Sequence, residues 1–417
     1  MKFSGFELLK QGLTGNTGWA PHWRRPKPKG AYDIVIIGGG GHGLATAYYL
    51  AKNHGLQNIA VLEKGYLGGG NIGRNTTIVR SNYMMPGNSE FYSHSLKLWE
   101  GMEQDLNFNT MMSQRGQIVL FHSDGQRDAA VRRANAMINR GDDAEILTTA
   151  EVRKHAPYLN FDSARFPIYG GILQRRAGTA RHDAVAWGYA RGADLRGVDL
   201  IQNCEVNGID IENGRVQGVQ TTQGPIKAKK VAMVTAGRSS QVAALAGMRL
   251  PIESHILQAF VSEGLKPVIH HVISFGMGHF YISQSDKGGL VFGGNLDYYA
   301  SYAARGNLAM KEHVMEAAMA LMPIIGQAKV LRSWGGIMDM SPDGSPIIDK
   351  THIEGLYLNC GWCYGGFKAV PASGYGFAHL IATDNHHPTA SGFRLDRFRT
   401  GYGLMDEEGT GSQHNLH

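Results

Sequence analysis

The feature that most constrains the fold of this chain is a glycine motif set between two short apolar segments near its start. Residues 33–37 are apolar after the first position and are typical of a buried parallel strand. Apolar residues with helical spacing follow as far as Ala51, and residues 59–62 form a second apolar segment. Three glycines with the spacing GxGxxG occupy the turn between strand and helix, at Gly38, Gly40 and Gly43. Residues 32–64 are therefore predicted to form a βαβ unit.

Each part of this unit suits the binding of an adenine dinucleotide. Gly38 allows a tight turn, Gly40 lets the backbone approach a pyrophosphate, and Gly43 lets helix and strand pack closely. The helix N-terminus directs free N–H groups at the phosphates. Glu63, twenty residues after Gly43 and beside Lys64, can accept hydrogen bonds from a ribose. The alternative is a glycine turn in an unrelated α/β domain, but strand, helix, second strand and acid occur here in register.

The position of the motif and a second glycine-rich region favour FAD over NAD. The motif lies near the N-terminus. A late segment carries Gly335 and Gly336, continues to Asp343, and is followed by further glycines between Gly361 and Gly366. Glycines at such positions let the backbone approach a flat ring system closely. We therefore expect FAD, with its isoalloxazine ring near this late segment.

Composition and charge limit the class of protein. The chain has 417 residues, of which 43% are hydrophobic and 18% charged, as in a folded soluble enzyme of about two or three domains. A net charge of +6 without an array of basic and aromatic residues argues against nucleic-acid binding. No apolar run approaches the ~18 residues of a membrane span, the N-terminus lacks a signal-peptide pattern, and only three cysteines occur. We expect a cytoplasmic protein without a membrane span.

The order of predicted elements indicates two interleaved domains. Strands alternate with helices, residues 250–300 form a block of strands, and alternation then returns. The predicted fold class is α/β, with a glutathione-reductase-type FAD-binding domain, built on the GxGxxG βαβ unit, interleaved with an antiparallel-sheet substrate domain. Helices are expected at 127–140, after Arg181, at 307–322 and near 374–382. The predicted division is an N-terminal arm at 1–31, FAD-binding parts at 32–110, 171–245 and 329–390, substrate-domain parts at 111–170 and 246–328, and a C-terminal tail at 391–417.

Six segments, spread in order over nearly the whole chain, carry a family pattern. They are GGGGHGLATAYYLAKNHG (38–55), GGGNIGRNTTIVRSNY (68–83), RAGTARHDAVAWGYAR (176–191), LIQNCEV (200–206), SWGGIMDMSPDGSPII (333–348) and NCGWCYGGFKAVP (359–371). The chain resembles the flavin-binding β subunit of heterotetrameric sarcosine oxidase and the related subunit of N-methylglutamate dehydrogenase. Both belong to the glycine oxidase/D-amino-acid oxidase superfamily.

This resemblance implies two flavins and an enzyme of several subunits. FAD would be bound without a covalent link. FMN would be attached through its 8α-methyl group to the histidine of the block R-H-D-x-V-A-W, which is His182 here. Without the resemblance, His182 is more readily interpreted as a helix cap next to Asp183. The implied partners are α, γ and δ subunits and, through the α subunit, tetrahydrofolate.

The implied reaction is the oxidative N-demethylation of a small N-methyl amino acid. The substrate would give a hydride from its N-methyl carbon to FAD, and electrons would pass to FMN. The resulting imine would release formaldehyde by hydrolysis, or would be captured as methylenetetrahydrofolate.

The same segments imply the residues of the flavin and substrate sites. Arg80 and Lys368 match positions that bind the substrate carboxylate, where arginine offers a bidentate fork and lysine a point charge. Ordinary surface charge is the alternative for both. Val206 belongs to a stretch whose backbone would meet the adenine. The other expected flavin contacts are Asn71, Arg74, Asn75 and Thr76 in an early loop, and Gly366 and Phe367 in the late segment. No metal site is expected.

The chain departs from the sarcosine oxidase pattern in segments that should line the substrate pocket. A larger N-methyl amino acid could require such changes, so N-methyl-L-glutamate is slightly favoured over sarcosine. Oxygen and other electron acceptors both stay open. The departures are Met338, Met340 and Ser341 in one late segment, Cys363 and Tyr364 in another, and the sequence Met-Met-Pro-Gly-Asn at 84–88.

Two other functional classes stay open. The chain could be an electron-transfer flavoprotein without substrate chemistry, or a stand-alone single-flavin amino-acid or amine oxidase. Cys360 and Cys363 form a CxxC pair, but a zinc site needs two more ligands and no second pair occurs. A thioredoxin-type motif should open a helix, and the following Tyr-Gly-Gly is unfavourable for one. A redox or metal role for the pair is therefore the minor interpretation.

Overall fold

The computed structural model describes residues 4–276, 280–297 and 299–401. The helices are α1 (Gly5–Leu13), α2 (Gly41–His54), α3 (Asn88–Leu106), α4 (Asp124–Asn139), α5 (Thr149–His155), α6 (His182–Asp194), α7 (Ser239–Ala244), α8 (Leu308–Leu321), α9 (Gly366–Thr383) and α10 (Arg397–Thr400). The strands are β1 (Ala31–Ile37), β2 (Ile59–Leu62), β3 (Ile78–Val79), β4 (Gln117–Phe121), β5 (Glu145–Thr148), β6 (Gly170–Gln174), β7 (Gly178–Thr179), β8 (Asp199–Ile201), β9 (Val206–Glu212), β10 (Arg215–Thr221), β11 (Ile226–Met233), β12 (Glu253–Gly264), β13 (Val272–Phe275), β14 (Phe280–Gln284), β15 (Gly289–Leu296), β16 (Val330–Met340), β17 (Ile347–Lys350) and β18 (Leu356–Cys360).

The first large sheet carries the predicted βαβ unit at its centre. Its strand order is β17-β18-β11-β1-β2-β8, and β9 and β10 extend it as a hairpin beside β11. Strand β1 is parallel to both neighbours, with Ile36 opposite Val61 of β2 and Ala232 of β11. All three residues are fully buried, as expected for a parallel sheet covered on both faces. Helices α2, α3, α6 and α9 pack together on one face, around a core that includes Tyr48 and Trp99.

The second large sheet is almost entirely antiparallel. Its order is β16-β12-β15-β14-β13-β4-β6-β5, and only β13 and β4 pair in parallel. Helices α5 and α8 cover one side, with Phe260, Phe292 and Leu321 in the shared core. The other side contributes residues to the cavity described below. The predicted fold class, a parallel dinucleotide-binding sheet interleaved with a mainly antiparallel one, is thus confirmed.

The structure differs from the predicted division of the chain at both sheet boundaries. Residues 329–390 were assigned to the FAD-binding part, yet β16 pairs with β12 in the second sheet over ten residues, from Glu253 opposite Met340 to Ser262 opposite Val330. Similarly, most of β6 falls in the predicted range 171–245 but pairs with β4 and β5. Which sheet a strand joins depends on the strands that pair with it, and these are distant in sequence. Local sequence therefore does not reveal it.

Both predicted irregular ends contain ordered structure. The prediction of an irregular arm at 1–31 was wrong in part, because helix α1 begins at Gly5. The Ser4 hydroxyl caps this helix by accepting the N–H of Glu7. In the tail at 391–417, Arg397 is buried and donates to the Asp343 carboxylate at 2.8 Å. Residues 402–417 lie outside the described part. The helix expected near 374–382 begins earlier, at Gly366. No helix in the described ranges combines the length and apolar character needed to cross a bilayer.

Candidate functional site

The two outer glycines of the motif are required by the fold itself. Gly38 has φ +117°, and a Cβ there would lie 2.3 Å from the carbonyl oxygen of Val234. A Cβ on Gly43 would lie 2.0 Å from the carbonyl oxygen of Gly38. Both distances are far below van der Waals contact, so any side chain would separate α2 from β1. These are the close turn and close helix–strand packing that the spacing predicts.

The middle glycine of the motif, Gly40, is not crowded by protein atoms. The space beside it is open and could hold a ligand. Gly40 is the N-cap of α2, and no side chain caps this helix end. A Cβ built on Gly40 would meet nothing within 4 Å. The first N–H groups of a helix seek an acceptor, and the helix dipole favours a negative one. An open, uncapped helix start with space above its glycine therefore fits the pyrophosphate of FAD.

Glu63 lies at the end of β2 and is held by the backbone around it. One carboxylate oxygen accepts the N–H of Gly39 and the other accepts the N–H of Gly65, both at 2.9 Å. Each oxygen keeps a lone pair for a ribose hydroxyl. The segment leading to Val206 lies beside it, because the Cys204 N–H donates to the Glu63 carbonyl at 2.9 Å. Lys64 is exposed next to this position.

One cavity of about 340 Å³ joins most of the other predicted residues. It is lined by the start of α2, the loop before β3, the face of the second sheet and the start of α9. Its walls therefore come from both sheets. The predicted residues that line it are Gly40, Asn71, Arg74, Asn75, Thr76, Arg80, Gly366, Phe367 and Lys368. Gly38, Gly43, Glu63, Lys64, Val206 and His182 do not line it.

Hydrogen bonds connect the early loop, residues 71–76, to β16 of the second sheet. The side-chain amide of Asn71 donates to the Ile337 carbonyl and accepts the Ile337 N–H. The Arg74 guanidinium donates to the Gly69 and Gly70 carbonyls, while the Arg74 carbonyl accepts the indole N–H of Trp334 at 2.7 Å. These groups are therefore engaged mainly in shaping the loop, and only their remaining surface is available to a flavin.

The two predicted carboxylate-binding cations share the cavity. The Arg80 guanidinium donates to Asn82 Oδ1 at 2.5 Å and lies 4.9 Å from the centre of the Tyr83 ring. Lys368 is only 6% exposed, and its ammonium donates to the Tyr364 carbonyl at 2.9 Å. Burial lowers the pKa of Lys368 well below its usual value, and the charge of Arg80 lowers it further. A bound carboxylate would relieve both effects, which fits an anion-binding role.

A buried polar network beside the glycine motif was missed from the sequence. The ring of His42 stacks on the Trp362 indole, and its Nδ1 shares a 2.7 Å hydrogen bond with Ser373 Oγ. Asn359 closes the network, since its amide donates to Ser373 and its oxygen accepts the Trp362 indole N–H, both at 2.8 Å. Burial lowers the pKa of His42 to about 3, so the ring is neutral. The network joins α2 to the segment that carries Gly366.

The CxxC pair is buried and reduced. Burial raises the pKa of the Cys363 thiol to about 12 and that of Cys360 further still. A thiol that resists ionisation is a poor nucleophile and a poor metal ligand. Although Tyr-Gly-Gly is unfavourable for a helix, α9 begins soon after the pair, at Gly366. Within the described ranges, no three His, Cys, Asp or Glu side chains are placed to hold a metal.

Three of the five departures in the two late segments line the cavity, whereas residues 84–88 do not. The three are Met338, Cys363 and Tyr364. The other two, Met340 and Ser341, lie outside it; Ser341 donates to the Ser345 carbonyl instead.

His182 is the first residue of α6 and lies apart from this cavity. It is half-buried, and within the described part of the chain its ring takes part in no hydrogen bond. Burial lowers the pKa of His182, and the charge of Arg181 adds to this, while Asp183 opposes it. The imidazole is therefore neutral near pH 7 and has a free lone pair, as a nucleophile requires.

Comparison with known proteins agrees with this geometry. The family model described as FAD dependent oxidoreductase matches residues 33–380. Sarcosine oxidase subunit beta of Rhizobium meliloti (strain 1021) is 67% identical over 417 residues, which cover 100% of each chain. Sarcosine oxidase subunit beta of Rhodobacter capsulatus is 46% identical over 413 residues, or 99% of this chain and 100% of that one.

Solved structures give the same fold. L-proline dehydrogenase from P. horikoshii superposes with a TM-score of 0.83 at 25% identity, covering 91% of this chain and 99% of that one. Glycine oxidase from Bacillus cereus ATCC 14579 superposes with a TM-score of 0.75 at 21% identity, covering 87% and 98%. At 21% identity, the similarity to glycine oxidase concerns the fold alone. The chain belongs to the FAD dependent oxidoreductase family and, within it, groups with the sarcosine oxidase β subunits.

Proposed function

We propose that this chain is the FAD-binding subunit of an enzyme that oxidatively removes the N-methyl group of sarcosine. The observation that carries the proposal is the placement of Arg80 and Lys368 in one cavity with Gly40 and Gly366. Two cations for a carboxylate thus face the same space as the segments suited to the flavin. Three relatives that match 93% or more of the chain carry the name sarcosine oxidase subunit beta, which supports sarcosine as the substrate.

The side chains of the cavity orient the substrate. Arg80 and Lys368 bind the carboxylate and leave the amine end of the molecule directed away from them. Phe275 and Phe280, from the second sheet, line the cavity and reduce its water content. FAD, when bound, supplies the hydride acceptor. Gly40, Glu63 and the start of α9 are the residues that would hold it.

We also propose that FMN is joined covalently to His182. Support comes from the neutral, half-buried ring at the start of α6, which has no hydrogen bond within the described ranges. An imidazole in this state is competent to attack an activated flavin methyl group. His182 is not among the residues that line the main cavity, which fits a second flavin rather than a second contact to the first.

The remaining parts of the proposal concern partners and location. We infer α, γ and δ subunits, with tetrahydrofolate bound by the α subunit and formaldehyde or methylenetetrahydrofolate as the product. The word subunit in the names of the relatives supports an assembly. We place the enzyme in the cytoplasm, which the three free thiols support.

The test is anaerobic bleaching of the flavin absorbance in the complete enzyme. Sarcosine should reduce the flavin, and Arg80→Ala or Lys368→Met should slow the reduction at least tenfold, since each removes a charged hydrogen bond. If neither sarcosine nor N-methyl-L-glutamate reduces the flavin, the proposal is wrong. If both variants react as fast as the wild type, the chain transfers electrons without binding the substrate.

N-methyl-L-glutamate is the second candidate substrate. It is favoured by the three departures that line the cavity, Met338, Cys363 and Tyr364. A higher kcat/KM for N-methyl-L-glutamate than for sarcosine in the same experiment would select it.

A further inference from the structure

One polar atom in the wall of the cavity lacks a partner. Gln117, at the start of β4, is 3% exposed and lines the cavity. Its side-chain nitrogen donates to Ser274 Oγ at 2.8 Å, but its Oε1 is buried without a hydrogen bond in the described ranges. The other unpartnered buried atoms in the described part belong to residues that do not line this cavity. A buried acceptor without a hydrogen bond is unfavourable, so a donor that reaches Gln117 Oε1 would bind there favourably.

The neighbouring strand shows that the protein could have satisfied such a group. Gln174 lies directly opposite Gln117 in the sheet and is equally buried. Its oxygen accepts the Ser81 N–H at 3.1 Å, and its nitrogen donates to Ser81 Oγ at 2.8 Å. Both ends of Gln174 are therefore used inside the protein, whereas Gln117 keeps one acceptor for something that enters the cavity.

The surroundings of Gln117 narrow the choice of ligand group. Among the residues that line the cavity, Leu257, Phe275 and Phe280 carry no side-chain donor. Because no donor of the described residues reaches Oε1, the donor would have to come from a molecule that enters the cavity. An N-methyl amino acid has a carboxylate, which only accepts hydrogen bonds. As the free base that can lose a hydride, its amine carries one N–H, and in sarcosine this N–H is the only donor.

We propose that Gln117 Oε1 accepts the amine N–H of the bound N-methyl amino acid and so selects a secondary amine. This inference rests on the proposed function. Arg80 and Lys368 hold one end of the substrate and Gln117 holds the amine, so the N-methyl group is left to face the flavin. Ser274 fixes the amide of Gln117 and acts as a positioning residue.

The test compares sarcosine with N,N-dimethylglycine, a tertiary amine whose free base has no N–H. In the complete enzyme, Gln117→Leu should lower kcat/KM for sarcosine about fivefold and leave that for N,N-dimethylglycine nearly unchanged. Gln117→Glu keeps an acceptor at the same reach and should retain the preference for sarcosine. Flavin content should match the wild type in both variants, and acetate binding, followed by flavin absorbance, should match it in Gln117→Leu.

Each contrary outcome has a distinct meaning. An unchanged ratio of the two substrates in Gln117→Leu overturns the inference and leaves the proposed function intact. Weaker acetate binding in Gln117→Leu also overturns it, because Gln117 would then serve the carboxylate. A wild-type enzyme that does not oxidise sarcosine overturns the proposed function, and the inference with it.

Discussion

The imidazole of His42 stacks on the indole of Trp362, with ring centroids 4.4 Å apart and planes inclined by 18°. His42 belongs to the glycine motif, and Trp362 to the segment just before α9. We expect His42→Ala to lower the free energy of unfolding by about 2–3 kcal/mol, since a stack and a buried hydrogen bond are lost. FAD should dissociate more readily. Thermal unfolding and the ratio of flavin to protein after gel filtration measure the two effects.

The pKa of His42 provides a control for this variant. Burial lowers it to about 3, so the ring does not titrate in the working range. Ionisation of His42 should therefore not contribute to the pH profile of the wild-type enzyme between pH 6 and 9. His42→Ala should change the rate by the same factor at each pH and leave the shape of the profile unchanged. A shifted profile would contradict the neutral ring.

Two glycine variants separate folding from FAD binding. Gly40→Ala meets no atom within 4 Å and has an ordinary φ of −82°, so the protein free of FAD should keep its stability within about 1 kcal/mol. FAD binding should nevertheless be lost, because the methyl group fills the space for the pyrophosphate. Gly43→Ala places Cβ 2.0 Å from the Gly38 carbonyl and should cost about 3 kcal/mol or more. Denaturant unfolding of both variants, with and without FAD, distinguishes a loss of FAD binding from a loss of stability. If Gly40→Ala binds FAD as tightly as the wild type, Gly40 does not lie at the pyrophosphate.

The lowered pKa of Lys368 predicts how acetate binding depends on pH. Only the protonated ammonium attracts a carboxylate. Because burial and Arg80 lower the pKa, acetate should bind well at low pH and lose affinity as pH rises, well before the usual lysine value of 10.5. Lys368→Arg keeps its charge at all accessible pH values and should abolish this dependence. Titration of flavin absorbance with acetate across pH gives the result, and a flat wild-type profile would argue against the role.

The proposed covalent link between FMN and His182 predicts flavin that survives denaturation. Unfolded wild-type chain should carry one FMN, detectable by intact mass and by visible absorbance after removal of free flavin. His182→Asn should lack this attached flavin and keep its FAD. Asp183→Asn is the matched control, because it alters the same helix start and retains the imidazole. Flavin that persists on His182→Asn, or is missing from the wild type, refutes the assignment.

Three histidines whose rings lie next to Tyr375 or His379 of α9 predict acid sensitivity. Burial first, and neighbouring histidines second, lower the pKa of His54, His94 and His387 below 6.5. The unfolded chain then binds more protons below pH 6.5, so stability is fully present above that value and declines as pH falls through the lowered values. Thermal midpoints from pH 8 to pH 5 should show the decline, and His387→Gln should make it shallower.

Local sequence predicted those parts of the site whose elements are contiguous. The strand, glycine turn, helix and acid of the motif follow one another within residues 32–64, and the structure has them in that arrangement. Helix α1 was missed although a signal existed: Ser4 and Glu7 have the spacing of a helix cap.

The unpredicted parts depend on contacts between remote segments. His42 and Ser373 are 331 positions apart, and Gln117 and Ser274 are 157 apart. The sequence around one residue of such a pair does not indicate its hydrogen-bond partner, because sheet order and helix packing bring the two residues together. The resemblance to a family supplied Arg80 and Lys368, but it gave no reason to single out Gln117.

The double hydrogen bond between Asn71 and the backbone of Ile337 has a consequence for the lifetime of the bound cofactor. It ties the loop beside the flavin-binding cavity to β16, so the loop cannot swing aside by itself. If FAD leaves past this loop, we expect β16 and the loop to move together, which would open the second sheet locally. We therefore expect the residence time of FAD to follow the stability of that sheet more closely than the number of contacts the cofactor makes.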